Sequence, residues 1–444
     1  MLKQDPNLPS LDMAWSRRRM TNFFNRRVMP GQQVTSVARG RATYEPGKQC
    51  AVLYSLNLSD EPPEYSRLAV VTFAPDDSLH GVYVRHYAGK ATTEGEGATL
   101  PLAVSVPEHR CLVEFFPFDW RLPSLARAAN QYDRPLTTRY GRDNGSPAAC
   151  PEVRTLHYVP HRRCVLQTMG GQGPRNSDGG MVIKVYPPGP QARQTRRMLA
   201  RLQPQATASG MIVPRPLEIE DTTNLVLMEP VPGTSLKHKL KRMNEQDGAK
   251  QGIRLAAAAL ATLHGFRIKG CRVRSFDSDL EFLRKEATRV HVVAPSLAQI
   301  ALTLLQRVAE SPLPEAPVQA TFIHGDFMPS QLLVDEERVA VVDFDNACLG
   351  DPAMDVGNFM AKLHRTAVRK GHSHHYHLAQ AFLAEYVDQT RDKGLERRAL
   401  LYQVISLVRA ALHTFQRAPR QYASKGRASL PVLLLQEAAR CLAA

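Results

Sequence analysis

Residues 322–345 read F-I-H-G-D-F-M-P-S-Q-L-L-V-D-E-E-R-V-A-V-V-D-F-D, and this stretch decides how the chain is read. Asp326 sits on a His-Gly-Asp turn, and an amide, Gln331, follows five residues later. Leu332 to Val334 read as one short strand, Asp335 to Arg338 as a polar turn, and Val339 to Val342 as the returning strand. Such a hairpin brings Gln331 and Asp343 side by side at its open end, where two oxygen ligands suit one hard cation. Asp326, on the loop before the first strand, is placed to face an incoming hydroxyl, and His324 and Gly325 shape that loop. One carboxylate to orient and deprotonate a hydroxyl, with an amide and a second carboxylate to hold magnesium on nucleotide phosphates, is the equipment of phosphoryl transfer. The plainer alternative is an Asp-rich turn between two buried strands.

The sequence continues N-A-C-L-G-D-P-A-M-D-V-G-N-F-M over 346–360. H-G-D, the amide after it, D-F-D and G-D-P-x-x-D together resemble the aminoglycoside phosphotransferase and choline-kinase-like family. The resemblance implies an α+β, bilobal protein-kinase-like fold with a β-rich N-lobe and a mostly helical C-lobe. It implies Asp326 as the catalytic residue and Gln331 and Asp343 as metal ligands. Asp345 is left as a second metal ligand or a loop brace. His324, Asp351 and Asp355 are expected in support. Asp351 caps a helix that Pro352 opens, and Asp355 is a buried acid bracing the catalytic loop, since buried acids persist only when paired or hydrogen-bonded.

The chain has 444 residues, room for two or three domains, and an ordinary apolar content of 43%. No apolar run approaches the roughly 18 residues of a membrane span, and the polar N-terminus lacks the apolar core of a signal peptide. Seven cysteines without C-x-x-C pairs suggest reduced thiols in a cytoplasmic protein. A formal charge of +15 suits anionic nucleotides and also nucleic acids. Runs such as Arg17–Arg19 and Arg193–Arg197 read as solvated faces, and the lack of a zinc-finger or RNA-binding signature disfavours a nucleic-acid partner.

The front of the chain carries an internal similarity. Y-E-P-G-K-Q-C-A-V-L (44–53) parallels Y-V-P-H-R-R-C-V-L (158–166); V-Y-V-R-H-Y (82–87) parallels V-I-K-V-Y (182–186), setting Arg85 against Lys184; C-L-V-E-F-F-P (111–117) parallels N-L-V-L-M-E-P (224–230). The second copy holds an extra helical segment after Lys184, with Met198, Leu199 and Leu202 on its apolar side, which the first copy lacks. This predicts a β-rich cap domain resembling a degenerate N-lobe at 1–140, a linker at 141–150, a nucleotide-binding N-lobe at 151–236 and a helical C-lobe at 237–444. Maltokinase-type sugar kinases, within the same family, are similar in carrying an N-terminal cap and a Gln at the metal position.

In the second copy, Lys184 lies within an apolar strand and must be paired or ligand-bound, so it is the candidate phosphate-binding lysine. Arg162 and Arg163, on the turn that takes the place of the kinase phosphate loop, can reach phosphate oxygens, or can belong to a solvated hairpin turn. The glycine-rich segment 170–180 reads as a hairpin loop. Met228 and Glu229, in L-V-L-M-E-P-V-P-G, line the expected adenine slot. Family members orient the lysine with an acid on the following helix; here that helix offers Gln191 and Gln194 instead. His264 reads as a capping or packing residue, and H-S-H-H-Y-H (372–377) sets His374 and His377 on one helix face but lacks the nearby acid or Cys that would favour a metal site. The expected function is ATP- and magnesium-dependent transfer of a phosphoryl group to a hydroxyl of a small molecule, a sugar or amino sugar. The alternative is a nucleotide-binding pseudokinase with a regulatory role, favoured by the missing helix acid and the His161 turn.

Overall fold

Alternating burial along 34–58 and a nearly continuous apolar run at 67–73 build a first antiparallel sheet. It holds β1 (Val34–Glu45), β2 (Gln49–Leu58), β3 (Arg67–Phe73), β4 (Ala103–Val106) and β5 (Cys111–Phe115), in the order β1-β2-β3-β5-β4. Short helices α1 (Leu11–Ala14) and α2 (Arg17–Phe23) precede it, and α3 (Ser78–His86) follows β3. A second sheet, after α4 (Leu125–Ala129), holds β6 (Glu152–Val159), β7 (Arg163–Met169), β8 (Val182–Val185) and β9 (Leu225–Met228) in sequential order. The computed structural model describes residues 4–62, 65–90, 100–129, 152–169, 180–217, 223–242, 246–312, 320–335, 338–392, 394–419 and 429–443. The expected linker 141–150 and all but Gly180 of the glycine-rich segment lie outside the described residues.

The two sheets share a register. Tyr44 pairs with Cys50 as Tyr158 pairs with Cys164; Cys50 faces Phe73 as Cys164 faces Val185; Phe73 faces Cys111 as Val185 faces Leu225. This corrects the middle match. Residues 82–87 lie largely on α3, not on a strand, and Arg85 is exposed there. The strand equivalent to β8 is β3, and Thr72, opposite Ala51, stands where Lys184 stands opposite Val165. The first copy also has a helix at the expected place, shorter than its counterpart α5 (Gln191–Ser209). Period-two spacing of Val82 and Val84 mimics a strand, but Asp76 Oδ1 accepts from Ser78 N at 3.1 Å and turns the chain into a helix. Ala51 and Val70 of the first sheet and Leu166, Ile183 and Leu227 of the second share one apolar cluster with Leu122 and Leu125.

From α6 (Leu236–Arg242) onward the chain is mostly helical: α7 (Gln246–His264), α8 (Phe276–His291), α9 (Pro295–Ala309), α10 (Ala353–Lys370), α11 (His374–Thr390), α12 (Leu395–Arg417) and α13 (Leu430–Ala443). Between α9 and α10 come β11 (Thr321–Ile323), β12 (Leu332–Asp335), β13 (Arg338–Val341) and β14 (Cys348–Gly350). β12 pairs with β13 and, through β10 (Thr234–Ser235), with the segment leaving the second sheet; β11 pairs with β14. Helices α10 and α12 approach so closely that a Cβ on Gly357 would lie 2.5 Å from Ala399 O. Phe327, on the loop after H-G-D, packs on Phe359 of α10, which stacks on Phe382 of α11 with ring centroids 4.0 Å apart. All three are fully buried, each contributing about 1.5–3 kcal/mol by leaving water. That packing fixes the loop carrying Asp326 to two helices. No helix among the described residues is long and apolar enough to cross a membrane.

Candidate active site

The β12–β13 hairpin forms as the sequence predicts, and its open end is closed by hydrogen bonds. Val342 N donates to Gln331 O at 2.9 Å, and Gln331 Nε2 donates to Asp343 Oδ2 at 3.0 Å. Asp343 adopts a left-handed conformation, φ 72°, costly for a residue with a side chain but most tolerable for Asp and Asn. The chain then enters a 3-10 turn, Phe344–Asn346, whose Phe344 is buried, so that Asp345 faces the same cleft as Asp343.

The H-G-D turn is set by Asp355. This acid has no exposed surface and accepts from His324 N at 2.6 Å and Gly325 N at 2.9 Å. His264 Nε2 lies 3.2 Å from it, and His264 Nδ1 lies 2.6 Å from Tyr386 OH. Burial opposes the Asp355 charge, but His264 and His324 with the backbone donors outweigh it and hold the carboxyl below its ordinary range. His264 packs edge-on against Tyr386, as a packing residue would, and is in addition a partner of the bracing acid; a separation of 91 positions hid that pairing. His324 lies 3.0 Å through Nε2 from Val342 O and accepts from Asp326 N at Nδ1 (3.3 Å), joining the loops of the two acids. Gly325 has φ +76°, and a Cβ there would lie 2.3 Å from Asn346 O. Asp351 Oδ1 accepts from Ala353 N at 2.9 Å, starting α10, and Asp351 Oδ2 pairs with Arg398 at 3.0 Å.

Asp326 is half-buried and has no ion pair among the described residues. Asn358 Nδ2 lies 3.4 Å from its Oδ1 and donates to Phe327 O at 2.8 Å. Burial raises the Asp326 carboxyl, with the Asp343 charge adding to the effect, against the pull of Lys362, His324 and Arg409. Asp343 goes the other way: burial is outweighed by Lys184 and Arg163, which hold it well below the ordinary carboxylate range. One acid is thus the better proton acceptor and the other stays ionised.

Lys184 lies 2.6 Å from Asp343 Oδ1 and 3.0 Å from Asp345 Oδ1. Asp345 also accepts from Tyr186 OH at 2.8 Å, meets Arg163 at 3.3 Å and lies 3.5 Å from Thr195 Oγ1 on α5. The acid that orients the lysine comes from D-F-D, while the helix offers a threonine to that same acid. These contacts give Asp345 the surroundings of a brace. Tyr186, fully buried, and Asn358 were not singled out from sequence; the D-x-x-N spacing from Asp355 to Asn358 on one helix face was the available signal for the second.

The two turn arginines part company. Arg163 faces the acids, whereas Arg162 is 59% exposed and pairs with Glu45 of the first sheet at 3.8 Å. This corrects the expectation that both reach the same phosphates: neighbouring residues entering a strand point to opposite faces. The turn itself is held from the first sheet. Asp119 Oδ2 accepts from His161 N at 2.8 Å and Tyr158 OH at 2.9 Å, and Glu114 Oε2 lies 2.8 Å from His161 Nε2. His161 sits at φ 63°, a left-handed position these bonds impose. In the hinge, Met228 is buried and pairs with Val182. Glu229 N donates to Arg215 O at 3.0 Å and its side chain, 44% exposed, lies 3.6 Å from Arg215. The Glu229 amide is therefore engaged within the fold, and of the hinge backbone groups it is not the one free to meet a base edge.

The profile of the phosphotransferase enzyme family matches residues 175–401. A comparison with curated proteins finds no match. Solved structures similar to the chain include a putative aminoglycoside phosphotransferase from Ralstonia eutropha, 16% identical with TM-score 0.49, covering 70% of this chain and 94% of that one. A choline kinase from Cryptosporidium parvum is 11% identical, TM-score 0.47, with coverages of 70% and 92%. A macrolide 2'-phosphotransferase from Brachybacterium faecium is 20% identical, TM-score 0.40, with coverages of 69% and 96%.

Proposed function

The chain belongs to the phosphotransferase enzyme family, and from that premise we propose that it is an ATP-dependent kinase acting on a hydroxyl of a small molecule of sugar type. The observation that carries this reading is the contrast between two carboxylates in one cleft: Asp326 without an ion pair and raised, Asp343 clamped by Lys184 and lowered. Asp326 orients the acceptor hydroxyl. The acceptor oxygen bonds to the γ-phosphorus, the bond to the β,γ-bridging oxygen breaks, ADP leaves, and the hydroxyl proton passes to Asp326 late in transfer. Lys184 and Arg163 turn from the acids to phosphate oxygens when nucleotide is bound. Gln331 and Asp343, side by side at the open end of the hairpin, are the residues that would hold magnesium through their oxygens, and the ion would supply positive charge to offset that of the phosphates. Use of a nucleotide suits a cytoplasmic location.

The pseudokinase alternative leaned on the missing helix acid and the His161 turn. With Asp345 beside Lys184, the first of these no longer favours it.

The test is phosphate-donor consumption with magnesium and a panel of hydroxylated acceptors. Asp326→Ala is expected to lower turnover about 10²–10⁴-fold, the usual worth of a positioned acid–base group, while nucleotide affinity stays within a few-fold. Wild-type turnover in that variant refutes the role of Asp326.

A further inference from the structure

The surroundings of Asp326 away from the nucleotide side are basic. On α10, Asn358, which touches Asp326, is followed at helical spacing by Lys362, Arg365 and Arg369. On α12, packed against α10, Arg409, His413 and Arg417 form a second stripe. Arg41 of β1 reaches the same place from the first sheet: its guanidinium is influenced by Arg417, Arg162 and Arg163. Lys362 is in turn influenced by Asp326, Arg365, Arg409 and Arg417.

Three ordinary explanations account for part of this set. Arg409 pairs with Asp279 at 2.9 Å. Arg369 and Arg417 occupy the last turns of α10 and α12, where the helix dipole favours cations. Arg162 pairs with Glu45. None of these explains Lys362 and Arg365, which lie inside α10, or Arg41, which lies on a strand. All three are half-buried, and among the described residues none forms a salt bridge. The Arg41 Nε is buried without a hydrogen-bond partner. A solvated charged face keeps its cations in water; here they are partly withdrawn from it and set against one another, which costs free energy that a bound anion would offset. On the second stripe, burial, then Arg417, Arg409 and Lys362, push the His413 imidazole down to about 3.

We propose that the acceptor is itself an anion, a small hydroxylated molecule already carrying a phosphate or carboxylate, held by Lys362, Arg365, Arg417 and Arg41 with its hydroxyl at Asp326. This rests on the phosphotransferase reading and narrows it: a cationic amino sugar is disfavoured by the same wall that attracts the anion. The first sheet, through Arg41, completes the acceptor site.

The experiment is calorimetric titration of the full chain, with magnesium and a non-hydrolysable ATP analogue saturating the nucleotide site, using glucose 6-phosphate, inorganic phosphate, glucose and kanamycin. Glucose 6-phosphate and phosphate are expected to bind at least about tenfold more tightly than glucose or kanamycin. Lys362→Gln and the double variant Arg365→Gln/Arg417→Gln are each expected to weaken the anionic probes about tenfold or more, with the nucleotide titration as the check of folding. Equal or tighter binding of glucose or kanamycin, no binding of either anionic probe, or anion affinity unchanged in both variants overturns the proposal. So does retention of single-stranded RNA by a protein that binds none of the small probes. Because the readout is binding, the two readings separate. Anion binding that these variants weaken, without turnover of any acceptor, supports the site and counts against the kinase. Turnover of a neutral acceptor, untouched by these variants, supports the kinase and sinks the anion site.

Discussion

Asp345 shows how much one side chain can settle. Its carboxylate collects Lys184, Arg163, Tyr186 and Thr195 within 3.5 Å, so it takes the part that an acid on the following helix was expected to play. Asp345→Asn keeps the shape and removes the charge. It is expected to lower kcat/KM about ten- to hundredfold, because a charge-assisted pair is lost and Lys184 is left to Asp343 alone. Tyr186→Phe, which removes one hydroxyl, is expected to cost only a few-fold. Steady-state kinetics on both variants check this, and an Asp345→Asn enzyme as active as wild type removes Asp345 from the site. Reading the acids themselves from sequence was easy, since H-G-D and D-F-D are local. Reading which cation each acid meets was not, because Lys184 and Asp345 are 161 residues apart.

Among the elements, the β12–β13 hairpin and the H-G-D turn interlock at Gly325. Any side chain there faces both a left-handed backbone and the Asn346 carbonyl at 2.3 Å. Gly325→Ala is therefore expected to destabilise the fold by at least about 2 kcal/mol, measured by urea unfolding, and to lower turnover further by displacing Asp326 from Asp343. Stability within about 0.5 kcal/mol of wild type is the result that counts against a rigid turn. The hairpin was legible because its apolar residues alternate and its turn is polar. The strand-like reading of 82–87 differs from the structure for a related reason: a short apolar run satisfies both periods, and a local hydrogen bond from Ser78 N to Asp76 decides between them.

For the whole molecule, the first sheet serves the second through His161. Burial opposes the charge of this imidazole, but the hydrogen bond to Glu114 and the charges of Glu114 and Asp119 outweigh it, so its pKa in the folded protein is raised. A raised histidine contributes stability that is fully present below its unfolded value of about 6.5 and is lost as pH climbs through the folded value. Asn accepts the left-handed backbone at this position. The melting-temperature gap between wild type and His161→Asn is therefore expected to be widest near pH 6 and to shrink toward pH 9. A gap that does not change with pH shows that the pairing carries no charge. The sequence alone determined the H-G-D turn, the hairpin, the pairing of an amide with an acid and two sheets of matching register, because each follows from neighbours within about 25 residues or from repeated periodicity. Tertiary structure alone decided that Thr72 rather than Arg85 matches Lys184, that Arg162 turns away, that Asp345 replaces the helix acid and that Arg41 and Lys362 both come under the influence of Arg417. Those outcomes depend on which distant surfaces pack together, and burial and Coulomb terms acting across that packing leave no trace in local spacing.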